Sequence, residues 1–378
     1  MVVSYVRLFI NGGIKMRSKN SIFSTLFLLS LVFGLIIIFS SIASAQEVDQ
    51  FGAFNYKYPI KLPPGTNGMA PQLELVYNSN GGNGMMGVGW NLTGLPVICR
   101  DPSYGIYYDD RDHYLYNGEK LIPGNDGYYH TERESFIRIE ARNLNSSSSE
   151  WIVTLKNGIK MYFGSSADSH IDAVGKGGKA YLWALKKVID LQGNYYEVEY
   201  NEDTVNGDYY PVRITYTKND GHPLQSYRTV EFFYEDRTDR GSMYHFSVKV
   251  DMDKRLKWIV VKIGNNLLKK YRLDYEHGIS TGNSRLVMIQ EYGKDGNTPI
   301  FTINGFPWVD TSYVATGKKL PAIHFQWQEG ASGLFSTAYF QNNGIVGFDL
   351  QKSCDKVFPF DYNGDGKMDL CLYRPGYG

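Results

Sequence analysis

The chain has 378 residues with 39 basic and 39 acidic side chains, so its formal net charge at pH 7 is zero. Nucleic acid is not an expected partner, because the sequence offers no basic stripe to neutralise phosphates. Three cysteines are too few for a disulfide-rich scaffold, and no Cys-x-x-Cys pair suggests a structural zinc site. Cys354 and Cys371 could pair across a hairpin, or all three cysteines could be buried small side chains.

The N-terminal segment has the features of an export signal. Arg17 and Lys19 precede a long apolar stretch that ends in Ala43-Ser44-Ala45, the small-residue pattern that signal peptidase reads. We therefore predict a signal peptide over residues 1–45, cleavage before Gln46, and a secreted or cell-surface protein.

Two alternatives stay open at this end of the chain. The stretch from Ile22 to Ala45 is long enough for a retained membrane anchor, since a spanning helix needs about 20 apolar residues. Met16 is a second candidate start, because it gives a signal peptide of ordinary shape. No later stretch of the sequence is apolar enough to cross a membrane, so none is expected after cleavage.

The segment Pro59–Leu95 holds eight glycines in 37 positions around one strand-like run, Gln72–Tyr77. Such a density indicates tight turns and left-handed backbone conformations. Within it, Gly82–Gly87 fits the dinucleotide-binding pattern G-x-G-x-x-G. That motif must open a helix, however, and the glycines and proline that follow disfavour one. We therefore predict no nucleotide binding here.

The segment ahead of Tyr114 contains the densest polar cluster, Asp109–His113. It could bind a metal or serve acid–base chemistry, but a charged run before a strand is more typical of a hairpin turn. None of the seven histidines lies in a His-Glu-x-x-His motif, and no Gly-x-Ser-x-Gly elbow is present. We predict no catalytic residues.

Between Arg100 and about Trp327 the chain alternates between strand-like runs and turns. Trp151–Leu155 and Ile159–Phe163 flank Asn157-Gly158, and two β-rich runs around Asn-Gly are a strong hairpin signal. Further strands are predicted at Tyr195–Tyr200, Val212–Tyr216, Val230–Tyr234, Phe246–Val250, Trp258–Ile263, Lys270–Tyr275 and Ile323–Trp327. The spacing predicts an all-β fold of antiparallel hairpins and meandering sheets.

Two segments of this region do not follow the simple pattern of strand-like runs and turns. Tyr181–Leu191 fits a helix of about three turns, although its β-branched residues suit a strand equally well. Asn143–Ser149 is rich in serine and is predicted to be a solvated hairpin tip.

The C-terminal sequence carries a calcium-loop pattern, D-x-N-x-D-G-x-x-D. Oxygen ligands at alternate positions suit a hard cation such as Ca²⁺. An EF-hand is excluded because its twelfth position, Leu372, is not Glu. A metal-free Asn-Gly/Asp-Gly turn is the alternative. The expected ligands are Asp361, Asn363, Asp365, the backbone carbonyl of Lys367, and Asp369.

The sequence motifs of the glycine-rich segment resemble those of a known family. Its ordered string PPG, GM-P-L-L-YNS and GNG--GVGW-L-GL is similar to the N-terminal domain of the SpvB family, the Salmonella virulence plasmid 65 kDa B proteins. Related domains occur in the B components (TcB) of insecticidal toxin complexes and in Rhs-type secreted proteins. The resemblance covers about residues 50–330 and implies that Tyr181–Leu191 is a strand. The C-terminal loop resembles those of FG-GAP and VCBS β-propeller blades.

Together, the export signal and the resemblance predict three segments: the signal peptide at 1–45, an SpvB-like β-rich domain at 46–330, and a partial propeller blade at 331–378. A propeller needs 4–8 blades, so we expect a fragment of a longer protein. The implied function is a non-enzymatic structural module of a secreted virulence or toxin protein, helping to form the shell that carries a C-terminal toxin. Its implied partners are toxin-complex or Rhs-type subunits and a cargo domain.

A different class of function stays open beside that one: a calcium-braced cell-surface adhesion or recognition protein with an integrin-like propeller. In the SpvB family, ADP-ribosyltransferase activity belongs to a domain beyond the matching region. The Ser-Thr-Ser motif of such enzymes occurs nowhere in this chain. No transferase activity is therefore expected.

Overall fold

A computed structural model describes residues 47–50, 52–222, 227–298, 302–303, 306–309, 313–327, 356–360 and 369–373. The predicted signal peptide lies outside these residues. Over the described ranges the chain is built from β-strands, with two short 3-10 turns at Thr66–Gly68 and Pro102–Tyr104. The predicted all-β antiparallel fold is confirmed.

The strands are numbered in chain order. They are β1 (Glu47–Val48), β2 (Phe54–Pro59), β3 (Glu74–Asn78), β4 (Asn83–Gly84), β5 (Gly87–Val88), β6 (Trp90–Thr93), β7 (Val97–Arg100), β8 (Tyr114–Tyr116), β9 (Glu119–Pro123), β10 (Tyr129–Thr131), β11 (Arg138–Arg142), β12 (Glu150–Thr154), β13 (Lys160–Phe163), β14 (His170–Asp172), β15 (Ala180–Ile189), β16 (Asn194–Asp203), β17 (Asp208–Asn219), β18 (Arg228–His245), β19 (Val248–Ile263), β20 (Asn266–His277), β21 (Ser284–Tyr292), β22 (Thr302–Ile303), β23 (Phe306–Pro307), β24 (Ile323–His324), β25 (Lys356–Phe360) and β26 (Asp369–Tyr373).

The central feature is a closed, barrel-like sheet. Strands β7 to β13 pair in sequence, each antiparallel to the next. The ring closes on β15, whose first half pairs with β7 and whose second half pairs with β13. Closure leaves these strands without an open edge.

Strand β15 also starts a second sheet region. Its second half pairs with β16, and an antiparallel meander then runs from β16 through β21 to β24. Most of β15 is buried. Its first half lies between β7 and β14, and its second half lies between β13 and β16. Residues Tyr181–Ile189 of the segment left open between helix and strand thus form a strand, as the family resemblance implied, and Leu191 lies in the turn that follows.

The barrel interior is filled by aromatic rings. Trp151, Trp183 and Tyr114 are at most 2% exposed, and their ring centroids lie 4.9–5.7 Å apart in tilted, edge-on arrangements. They stand on three strands that are not neighbours in the ring, so the rings meet across the interior. Edge-on aromatic pairs add stability beyond the area they bury.

One ion pair is sealed inside this aromatic core. The side chains of Arg100 and Asp112 are at most 1% exposed and hydrogen-bond to each other. The Arg100 guanidinium lies 4.6 Å from the ring centroid of Tyr108 and also donates to the backbone oxygen of Ala180 at the start of β15. Asp112 additionally accepts the backbone N–H groups of Tyr107 and Tyr108, at 2.7 and 2.8 Å.

A small N-terminal sheet, in the order β1-β2-β3-β6, completes the larger unit. Its Trp90 is 3% exposed, and its ring centroid lies 4.8 Å from that of Phe325 and 6.0 Å from that of Tyr56. Leu73 and Leu75 of the same segment are buried too. Trp90 and these leucines are therefore packing anchors of the segment.

The predicted strands are found, with differences in length. The hairpin around Asn157-Gly158 is present as β12 and β13, and Gly158 has φ 81°. Phe246–Val250 and Trp258–Ile263 were expected as separate strands but belong to one continuous strand, β19, that begins at Val248. In the segment predicted to be a strand at 323–327, only Ile323–His324 pairs as β24.

The chain divides into two compact units, with the boundary between Trp327 and Gln328. In the second unit the described residues form one antiparallel hairpin, β25 and β26. The calcium-loop pattern lies between these two strands in the sequence. The three-segment division predicted from the resemblance remains a prediction.

Removing the carboxylate of Asp112 should destabilise the barrel far more than removing an exposed carboxylate. Asp112→Ala leaves the Arg100 guanidinium buried without its counter-charge, which costs about 3–5 kcal/mol. Asp109→Ala is the matched control, because Asp109 pairs with Arg111 at the surface, where both side chains are largely exposed. Denaturant unfolding of both variants gives the comparison. Equal midpoints for the two would contradict a central role for the buried pair.

Candidate functional site

The glycine-rich segment forms a tight hairpin where a nucleotide loop would have opened a helix. Strands β4 and β5 pair directly, with Met85 and Met86 as the two-residue turn. Met86 is fully buried, and the backbone oxygen of Met85 accepts the N–H of Leu256 at 2.9 Å. A strand, β6, follows. The turn is thus a packing element held against β19.

Two buried charges fix this hairpin to the meander. Arg237 donates to the backbone oxygen of Gly84 at 3.0 Å and to Asn83 Oδ1 at 2.7 Å. It also pairs with Asp239 at 2.8 Å, and both side chains are at most 4% exposed. Asp239 in turn accepts from Asn83 Nδ2 at 3.0 Å and from the backbone N–H of Ser284 at 2.7 Å. One ion pair therefore ties the hairpin, β18 and β21 together.

The charge state of Asp239 follows from these contacts. Burial opposes ionisation, but hydrogen bonds from Arg237, Ser284 and Asn83 outweigh it and hold the pKa of the carboxyl well below its usual range. The carboxylate therefore stays ionised at neutral pH. Since every donor belongs to the fold itself, the cluster is occupied by internal partners.

The glycines are required by close approach. Gly87 has φ 82°, and a Cβ there would stand 2.4 Å from the backbone oxygen of Ser284. Gly89 has φ 76°, and a Cβ there would stand 2.5 Å from the ring of Tyr77. Both positions need a left-handed conformation and room that a side chain would take. The segment that identifies the family therefore acts structurally.

A Ser-His-Asp chain that the sequence analysis missed lies beside the barrel core. Ser149 Oγ and His170 Nε2 are 2.9 Å apart, and His170 Nδ1 is 2.8 Å from Asp172 Oδ1. Ser149 was assigned to a solvated hairpin tip, yet it is fully buried, whereas Ser147 and Ser148 are exposed. No local pattern in the sequence links these three residues.

The surroundings of Ser149 favour a structural role for this chain of bonds. A nucleophile must be reachable by substrate, but Ser149 is fully buried and His170 is only 5% exposed. Ser149 Oγ also accepts the indole N–H of Trp183 at 3.0 Å. The three residues thus satisfy buried polar groups and fix the position of Trp183.

The charged cluster Asp109–His113 is the turn that the sequence predicted. Asp109 and Arg111 form an exposed ion pair of 2.6 Å, and that pairing lowers the pKa of Asp109 to about 2. Asp112 points the other way, into the barrel, where it meets Arg100. Its partner lies twelve residues earlier in the chain, and no local sequence pattern indicated that contact. The cluster divides between surface and core and forms no joint site.

The predicted calcium ligands lie outside the described residues, except for the backbone of Asp369, which begins β26. Phe360 and Asp369 are directly paired across the hairpin. Within the described ranges, no group of three His, Cys, Asp or Glu side chains could hold a metal ion. Cys99 is buried and unpaired, and burial raises the pKa of its thiol to about 12.

In the described part of the chain, no helix is long and apolar enough to span a bilayer.

The fold defines the class of protein: an all-β module of the kind found in bacterial toxin complexes. It is similar to a crystal structure of TcdB2-TccC3, with a TM-score of 0.58 and 18% identity over 73% of this chain and 16% of that one. The Photorhabdus luminescens Tc holotoxin pore gives a TM-score of 0.59, 18% identity and the same two shares. The N-terminal domain of effector protein SpvB from Salmonella typhimurium strain LT2 gives 0.54 and 18% identity over 62% of this chain and 98% of that one.

Sequence comparison then gives the family. The SpvB family, Salmonella virulence plasmid 65kDa B protein, matches residues 49–135 and 126–263, which is more than half of the chain. The chain belongs to the SpvB family. Relatives named Mono(ADP-ribosyl)transferase SpvB, from Salmonella choleraesuis and Salmonella typhimurium, are 28% identical over 169 residues. That match covers 37% of this chain but only 28% of each relative's length.

A methyl group at Gly87 should disturb the packing of the β4–β5 hairpin against β21, whereas one at Gly82 should not. Gly87→Ala must move the backbone of Ser284 and strain a left-handed residue, which should cost at least about 2 kcal/mol. A Cβ at Gly82 meets nothing within 4 Å, so Gly82→Ala is the matched control. Thermal and denaturant unfolding measure the difference. A Gly87 variant as stable as the Gly82 variant would refute the close contact.

Proposed function

We propose that this chain is a non-enzymatic structural module of a secreted bacterial virulence protein of the SpvB and toxin-complex type. In this proposal it helps to build a shell or scaffold that carries a toxic C-terminal domain and contacts toxin-complex or Rhs-type partner subunits. An N-terminal signal peptide over residues 1–45 would export it.

The observation that carries the proposal is the match of most of the larger unit to the N-terminal domain of SpvB and to toxin-complex chains. In the relatives named as transferases, the matched part is 28% of the length. The buried polar groups of the described residues also favour a scaffold. Arg100, Asp112, Arg237 and Asp239 are engaged by the fold itself, and Ser149 is closed to solvent.

A two-part experiment tests the scaffold role. The purified exported protein is mixed with a TccC3-type subunit encoded in the same genome and analysed by size exclusion with light scattering. We expect a stable complex. The same preparation, incubated with biotinylated NAD⁺ and a cell lysate, should label no more protein than a heat-inactivated sample. Absence of a complex, or labelling above that control, would count against the proposal.

We further propose that Asp361, Asn363, Asp365, the carbonyl of Lys367 and Asp369 bind Ca²⁺. The donor set is all oxygen, as Ca²⁺ requires. The direct pairing of Phe360 with Asp369 supports this arrangement, because it places Asp369 opposite the residue that precedes Asp361 in the sequence.

Calorimetric titration of the full chain with Ca²⁺ should show one site that Asp365→Ala abolishes. Asp369→Asn, which keeps an oxygen donor but removes a charge, should weaken binding without abolishing it. Asp251→Ala, far along the sequence in β19, should leave the heat unchanged. If Asp365→Ala binds Ca²⁺ as the parent does, this assignment fails.

A further inference from the structure

A cleft of about 750 Å³ opens between the glycine-rich segment and two hairpin turns of the barrel. One wall comes from residues 67–74 and 93–96. The other comes from the β12–β13 turn, the β15–β16 turn and neighbouring strand residues. This volume lies in the range of small-molecule and peptide pockets.

The lining of the cleft is mixed, with somewhat more apolar than polar surface. Met69, Met161 and Tyr196 contribute to it and are only 7–8% exposed. Leu191, at the β15–β16 turn, is 73% exposed, so a large aliphatic side chain stands in solvent at the rim. A ligand that covered Leu191 would gain the free energy of removing that surface from water.

The cleft is also preformed. Asn67 Nδ2 reaches across it to Asp190 Oδ2 at 3.3 Å and to Gln192 Oε1 at 3.4 Å. The two barrel turns lie against each other, because a Cβ at Gly158 would stand 2.8 Å from the Leu191 side chain. Binding would therefore require little ordering of the walls.

The charge of this cleft is negative. Its only charged lining residues are Glu74 and Asp190, and neither forms an ion pair with a described residue. The Glu74 carboxylate accepts no hydrogen bond from the described residues. Asp190 accepts only from neutral donors, among them Asn194 at 2.8 and 2.9 Å. Burial opposes ionisation of Asp190, but these hydrogen bonds lower its pKa, so it stays charged at neutral pH.

We propose that the cleft binds an extended peptide segment in which aliphatic side chains alternate with Lys or Arg. The aliphatic groups would pack on Leu191 and the apolar lining, and the cations would face Glu74 and Asp190. An anionic ligand is disfavoured, since it would meet two carboxylates and no lining cation. This inference does not rest on the scaffold role or on calcium binding.

Fluorescence anisotropy with two labelled pentapeptides tests the proposal on the full chain. The probes are Leu-Lys-Leu-Lys-Leu and Leu-Glu-Leu-Glu-Leu, both with blocked ends. We expect the lysine peptide to bind at least about tenfold more tightly at low salt, with the preference shrinking as salt rises. Equal binding of both peptides, or binding of neither, would overturn the proposal.

Variants then locate the binding to this cleft. Glu74→Gln should weaken the lysine peptide about three- to tenfold, and adding Asp190→Asn should remove most of the remaining preference. Leu191→Ser should weaken the lysine peptide too. Glu276→Gln, an exposed carboxylate outside the cleft, is the matched control and should change nothing. If Asp190→Asn disturbs its turn, as circular dichroism would show, Glu74→Gln alone decides. An unchanged affinity in a folded Glu74→Gln protein would refute the site.

Discussion

Strand β15 is the element on which the described structure depends, because two sheet regions share it. Its first half closes the barrel against β7, and its second half pairs with β13 on one side and β16 on the other. A shift of one residue would turn Trp183 and its neighbours out of the barrel and misplace the meander at the same time. The two regions therefore enforce the same register, and neither can slip independently.

Two buried arginines extend this control to segments that have little regular structure. Arg100 joins the turn before β8 to the first residue of β15, through Asp112 and the oxygen of Ala180. Arg237 joins the glycine-rich hairpin to β18. A buried guanidinium is costly without its counter-charge, so each arginine accepts few alternative arrangements. A few directional contacts thus position irregular backbone that apolar packing alone would not hold in one conformation.

The sequence predicted what local pattern controls. Alternating side chains and the Asn157-Gly158 turn identify the strands and the hairpin, because both signals lie within a few residues. Barrel closure could not be predicted, since Cys99 pairs with Leu182 across 83 residues and no periodicity records that contact. Ser149 shows the same limit. The serine-rich composition around it predicted exposure to solvent, whereas it is buried in contact with Trp183 and His170. The glycine-rich segment identified the family, but which atoms crowd Gly87 became evident only when Ser284 was placed beside it.

The positions of the acidic side chains indicate which of them stabilise the fold and which one is available to contact a partner. Asp112 and Asp239 face arginines, and Glu231 and Glu235 pair with cations on the next strand. These carboxylates stabilise the fold, and the charge of each is neutralised by a neighbouring cation. Glu74 differs, because it stands beside an apolar cleft with no cation of the described fold opposite it. A carboxylate in that position does nothing evident for stability, since replacing it by a neutral group would break no described contact. Its charge is therefore available to a partner, and the exposed Leu191 across the same cleft offers that partner apolar surface.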